Sequence, residues 1–97
     1  MDAFLKRKPA HHPQAIWRVI EDETLILKLD TGQVSVLNPI GGQIWELMDG
    51  NRNMDEIVGC VGQTYAVPRQ QVEEDVERFV QELLHRAMLC WIQNEEK

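Results

Sequence analysis

The hydrophobic period of the chain changes once, at Asn38-Pro39, and that switch fixes the order of its secondary structure. From Ala15 to Leu37 short apolar runs are broken by turn residues, and from Asn38 onward apolar residues recur at helical spacing. Strands come first and helices after. Ala15 to Ile20 ends at Glu21, Asp22 and Glu23, a trio too hydrophilic to bury, which marks an exposed connection. Thr24 to Leu29 alternates, with Leu25, Leu27 and Leu29 on one face and Thr24, Ile26 and Lys28 on the other. Asp30, Thr31 and Gly32 then supply a tight turn into a third strand, Gln33 to Leu37. Strands joined this closely must run antiparallel, because a parallel return needs a crossover of a dozen or more residues.

Asn38 can accept from an unpaired amide at a helix start, and Pro39 suits the first helical position because its missing N–H has no partner to lose there. The first helix is expected to reach about Met48, with Ile40, Ile44, Leu47 and Met48 as its buried stripe and Trp45 beside them as a core anchor. Asp49-Gly50 ends it. Asn53 with Glu56 three residues later predicts a capping box opening a second helix, whose apolar stripe is Met54, Ile57, Val58, Val61 and Tyr65. Gly59 and Gly62 interrupt that helix, and close approach of another backbone would account for them. After Val67-Pro68 a long third helix runs from about Arg69 to Arg86 on Val72, Val76, Phe79, Val80, Leu83, Leu84 and Ala87. Met88 to Ile92 reads as a short extended tail.

At 97 residues the chain holds one domain, with little room for an enclosed active site beside a core. Residues 1–14, with Lys6, Arg7, Lys8 and polar neighbours, are expected to be a flexible basic arm, 15–92 the folded domain and 93–97 a tail. No apolar run approaches a membrane span or a signal peptide, so no membrane partner and a cytoplasmic location are expected. Cys60 and Cys90 lie among apolar neighbours and read as packed core thiols. His11 and His12 could join His85 at a metal only if adjacent histidines pointed the same way, and no further ligand stands at suitable spacing.

No catalytic set assembles from these residues. Cys60 lacks an activating cation, and the glycines form neither phosphate-binding pattern. Glu73, Glu74, Asp75 and Glu77 complement the positive end of the third helix's dipole and need no catalytic reading. Neither an enzyme nor a cofactor is expected.

Three strands followed by three helices form an α+β arrangement resembling a winged helix, a fold often used on DNA. A winged-helix DNA-binding regulator is therefore the alternative, which the charges oppose. The net charge is −6, and the third helix carries Arg69, Arg78 and Arg86 against Glu73, Glu74, Asp75, Glu77 and Glu82. Nucleic acid is not the expected partner. A small sheet does leave unpaired edges, and if Gln33 to Leu37 is an edge beside the third helix, the groove between them could take an extended peptide as an added strand.

The stretch LDTGQVSVLNPIGGQIWELMDGNRNMDEIVGCVGQTYAVPRQQVEEDVERFVQELLHRAML carries an ordered set of matches. They are Leu37-Asn38, Ile44 to Leu47, Asp49-Gly50, Glu56-Ile57, Tyr65 to Val67, Val72, Asp75-Val76, Phe79-Val80, Leu83 and Met88-Leu89. Over about residues 24 to 92 this resembles the PqqD-like family, recognition elements for ribosomally made, post-translationally modified peptides. The resemblance implies a non-catalytic peptide chaperone that binds the leader segment of a precursor peptide along the third strand and presents it to a maturation enzyme. That enzyme would be a radical SAM protein or a lasso-type leader protease. The implied contacts are Gln33, Val34, Ser35, Val36 and Leu37 with Asp75, Arg78, Phe79, Glu82 and Leu83. Asp75 and Arg78 would orient charged leader residues, and Phe79 or Leu83 would hold apolar ones.

Overall fold

The computed structural model describes residues 2–92. In chain order the elements are α1 (Asp2–Lys6), β1 (Pro9–His11), β2 (Ala15–Ile20), β3 (Glu23–Lys28), β4 (Val34–Leu37), α2 (Pro39–Leu47), α3 (Met54–Tyr65), α4 (Arg69–His85) and β5 (Leu89–Trp91). The tail expected over 93–97 lies outside the described residues.

β2, β3 and β4 form an antiparallel sheet in that spatial order, so β2 and β4 are its edges. The β2–β3 connection is the two-residue turn Glu21-Asp22, both at positive φ (49° and 72°). This handedness matches the twist of paired strands, which is why so short a turn closes the hairpin. Gly32, at φ 76°, serves the β3–β4 connection. The face turned to the helices carries Thr24, Ile26 and Lys28 of β3 with Ser35 and Leu37 of β4, all buried. The leucine face of β3 is the outer one: Leu25 and Leu27 are half-buried and Leu29 is exposed. Helix contact decides between the faces. A Cβ on Gly42 of α2 would stand 2.4 Å from Thr24 Oγ1, so α2 lies on the sheet at a point where only glycine fits. Lys28 reaches along this face to Asp30, Nζ to Oδ1 3.3 Å.

The helix starts follow the capping residues. Asn38 Oδ1 accepts from the Gly41 amide at 2.7 Å, and Pro39 opens α2. In α3 both halves of the box form: the Glu56 amide donates to Asn53 Oδ1 and the Asn53 amide to Glu56 Oε1, each at 2.8 Å. Trp45, Met48, Met54, Ile57, Val58, Val76, Val80 and Met88 fill the centre of the core, with Ile26 and Leu89 from the sheets. Ile40, expected in the buried stripe of α2, is half exposed in the first turn of the helix, whose buried residues begin at Gly42. Cys60 also departs from expectation. The buried residues of α3 are 54, 57, 58 and 61, which turns residue 60 outward, and its thiol is exposed while Cys90 is half-buried. Gly59 and Gly62 are not points of tight approach, since a Cβ on either would meet nothing nearer than 3.7 Å.

The basic N-terminal segment is part of the fold rather than a mobile arm. β1 pairs antiparallel with β5, Ala10 opposite Cys90, making a second, two-stranded sheet. Phe4 and Leu5 pack on the core, and the Arg7 guanidinium lies 4.2 Å from the centre of the Trp91 ring. The Arg7 carbonyl accepts from the Met54 amide at 2.9 Å and the Pro9 carbonyl from Gly50 at 2.9 Å. The folded unit therefore begins well before residue 15. Its three-stranded meander followed by α2, α3 and α4 is the winged-helix-like α+β fold expected from the periodicity. Among the described residues, no helix is long and apolar enough to cross a membrane.

Candidate functional site

Among the described residues, β4 pairs with β3 on one side only. The Lys28 amide donates to the Gln33 carbonyl at 2.8 Å across the ladder, while the Gln33 amide turns to Thr31 Oγ1 at 3.2 Å. Antiparallel hydrogen-bonding residues alternate, and Ser35 and Leu37 therefore also face β3. The backbone groups of Val34 and Val36 point to the free side. Their side chains are each 56% exposed. Within the expected contact strand Gln33 to Leu37, the alternation divides the roles: Val34 and Val36 present the open edge, while Ser35 and Leu37 direct side chains inward. The carbonyl of Gln33 is already occupied by Lys28.

Beside this edge lies an open cleft of about 300 Å³ lined by Val36, Leu37, Asn38, Ile40, Gly41, Ile44 and Phe79. It exists because α2 starts immediately after β4 and α4 passes across both. Gly41 keeps its floor low, since a Cβ there would lie 3.5 Å from Phe79 Cε1 and 3.3 Å from Asn38 Oδ1. The lining is apolar apart from Asn38, whose side chain is committed to its helix cap. Such a cleft suits an aliphatic or aromatic side chain and offers no group for acid–base or nucleophilic chemistry.

The expected α4 residues separate in the structure. Phe79 is half-buried and forms the cleft wall. Asp75 and Arg78 are exposed and paired with each other, Oδ1 to Nη1 3.2 Å, and Glu82 is exposed farther along. Leu83 is only 3% exposed and belongs to the core, because the buried positions 72, 76, 80 and 83 form one stripe and residue 83 falls on it. Several contributors were not among the residues expected from sequence. Ile40 and Ile44 both line the cleft, a placement hidden by their membership in one apolar stripe. Arg86 was counted only as charge, yet its Nη1 donates to Ser35 Oγ at 3.0 Å and ties the end of α4 to β4.

The other candidates resolve differently. Among the described residues no group of three or more His, Cys, Asp or Glu is arranged to hold a metal. His11 is instead bonded through Nε2 to the Trp45 carbonyl at 2.8 Å. Glu73 is paired with Arg69, which also bridges to Asp55 of α3, so part of the acidic run on α4 fastens two helices.

Residues 23–89 match the profile of the family described as Coenzyme PQQ synthesis protein D (PqqD). The chain belongs to the PqqD family. That match runs from β3 into β5 and contains every residue lining the cleft. A curated relative, the PqqA binding protein of Rhizobium meliloti (strain 1021), is 31% identical over 74 residues, covering 76% of this chain and 74% of that protein. The fold also superposes on a solved structure, TbiB1 in complex with the TbiA(beta) leader peptide. The TM-score is 0.80 at 28% identity, with 88% of this chain and 99% of that one covered.

Proposed function

We propose that this PqqD-family chain is a non-catalytic chaperone that binds the leader segment of a ribosomally made precursor peptide and presents it to a modifying enzyme. The observation that carries this reading is the open edge at Val34 and Val36 standing directly beside the apolar cleft under Phe79. A leader adding as a strand receives main-chain hydrogen bonds from the edge and inserts an apolar side chain into the cleft, so affinity and selectivity come from adjacent parts of one surface. The names of its relatives support it: one is a PqqA binding protein, and the other was solved with a leader peptide. Asp75, Arg78 and Glu82, exposed on α4, would meet charged leader residues, the first two by exchanging their mutual ion pair. Leu83 supports the groove from the core instead of touching the guest. The enzyme served is a radical SAM maturase or a lasso-type leader protease, and the complex forms in the cytoplasm. Presentation requires release, so an affinity near micromolar, about −8 kcal/mol, is expected.

The test is calorimetric titration with a PqqA-type precursor and with a lasso-type leader, using the unmodified chain and Val36→Pro. The Val36 amide points away from β3, so proline there removes a donor to the guest and spares the native ladder. Binding of one peptide, weakened about tenfold or more by Val36→Pro, is the expected result. Full affinity in a folded Val36→Pro protein would eliminate strand addition, and indifference to both peptides would eliminate leader recognition.

A further inference from the structure

The sheet has a second free edge, and it differs from the first. The Leu29 amide donates to the Gln14 carbonyl at 2.7 Å. The same alternation then turns Ile16, Arg18 and Ile20 toward β3, and the backbone groups of Ala15, Trp17 and Val19 toward solvent. The Ala15 amide is taken by the His12 carbonyl at 2.9 Å. Among the described residues, what stays open is the N–H and C=O of Trp17 and Val19 and the C=O of Ala15. Apolar side chains are exposed on both faces of the strand: Ile16 and Ile20 on the outer face, Trp17 and Val19 on the inner. β2 holds neither proline nor lysine, the residues that commonly protect such an edge, and its single charge is Arg18.

We propose that β2 is a self-association edge, on which a second copy of this chain pairs antiparallel about a two-fold axis at Trp17. The free groups themselves select this register. With Trp17 opposite Trp17, Val19 falls opposite Ala15. Each Trp17 amide then donates to the other's Trp17 carbonyl, and each Val19 amide to an Ala15 carbonyl, making four bonds. No interchain bond requires the occupied Ala15 amide. An axis at Val19 would instead place Trp17 opposite Glu21, where the strand has already ended in its positive-φ turn. The chosen register is isologous and closed, so it stops at two copies. It lays Arg18 over Ile16 of the second copy, where its aliphatic stem covers an exposed apolar side chain.

A second sheet fits this edge better than a lone peptide does. β4 has α2 and α4 beside it to form a side-chain cleft, whereas β2 lies along β3 and, of its outward-facing residues, Trp17 meets α2 only edge-on at Trp45. A six-stranded sheet results, with both β4 edges left outermost. The association is independent of leader binding and uses the opposite margin.

Sedimentation equilibrium of the full chain, without peptide, from about 1 to 300 µM tests the association over affinities of roughly −8 to −5 kcal/mol. The mass is expected to rise from 11.3 kDa toward twice that value. Val19→Pro, which removes a donor from the open edge only, should move the midpoint at least tenfold higher, and Val36→Pro should leave it in place. The register is read separately by disulfide trapping in a Cys60→Ser, Cys90→Ser background. Ile16 and Arg18 would be directly opposed, with Cα atoms about 4.5 Å apart, whereas each residue and its own copy lie about 7–8 Å apart on the diagonal. A mixture of Ile16→Cys and Arg18→Cys chains should therefore crosslink much faster than either chain alone. A single 11.3 kDa species at every concentration overturns the proposal. So does a midpoint that responds to Val36→Pro, or equal crosslinking of Ile16→Cys alone.

Discussion

The imidazole of His11 lies flat against the indole of Trp45, ring centres 3.7 Å apart and planes within 5°, with the edge of Trp17 closing the stack. The same ring bonds to the Trp45 carbonyl, so one side chain fastens β1 to the end of α2. Burial lowers the His11 pKa from 6.5, against smaller opposing contributions from that carbonyl bond and from Asp49. The folded state therefore disfavours the imidazolium relative to the unfolded chain. The His11 contribution to stability is complete above about pH 6.5 and is lost as pH falls through the lowered folded pKa. Urea unfolding of the unmodified chain and of His11→Gln at pH 7.5 and pH 5 should show the gap between them narrowing at the lower pH. A constant gap would mean that the ring does not titrate differently in the two states.

Glycines in two helices should respond oppositely to alanine. At Gly42 the added methyl collides with Thr24, and the sheet or α2 must shift, at a cost of about 1–3 kcal/mol. At Gly59 the nearest atom is the end of a flexible arginine 4.0 Å away, so alanine should stabilise by about 0.5–1 kcal/mol. Denaturant midpoints of the two variants decide the matter.

The capping box of α3 should be measurable in isolation. Asn53→Ala leaves the Glu56 amide without its acceptor and is expected to cost about 1 kcal/mol by chemical denaturation. Leader affinity should not change, because this helix start stands apart from the cleft residues.

Ile40→Glu separates binding from folding. The side chain is half exposed and stands in the first turn of α2, where a carboxylate is favourable to the helix dipole. Thermal stability should hold, while a charge placed on the cleft wall lowers leader affinity tenfold or more, about 1.4 kcal/mol, by fluorescence anisotropy.

Local chemistry made the helix boundaries legible: Asn38-Pro39 and the Asn53/Glu56 pair each declare a start within four residues of chain. The edge position of β4 was also readable, because tight turns leave few topologies for three strands. Features set by distant partners were hidden. β1 has no strand signal of its own and forms because Ala10 meets Cys90 from the far end of the sequence. The inward face of β3 was concealed because the more hydrophobic side, Leu25 and Leu27, is the outer one, and the choice was made by where Gly42 lets α2 rest. Ile40 and Cys60 show the same limit on helices, since an apolar residue near a stripe can sit just past the margin of what its neighbours cover.

The link from Arg86 to Ser35 holds β4 in place before any peptide arrives. The loss of conformational freedom on docking then falls on the incoming chain rather than on the receptor. Sequences already inclined to an extended backbone surrender least, so stiffness becomes a criterion of choice alongside the shape of any one side chain.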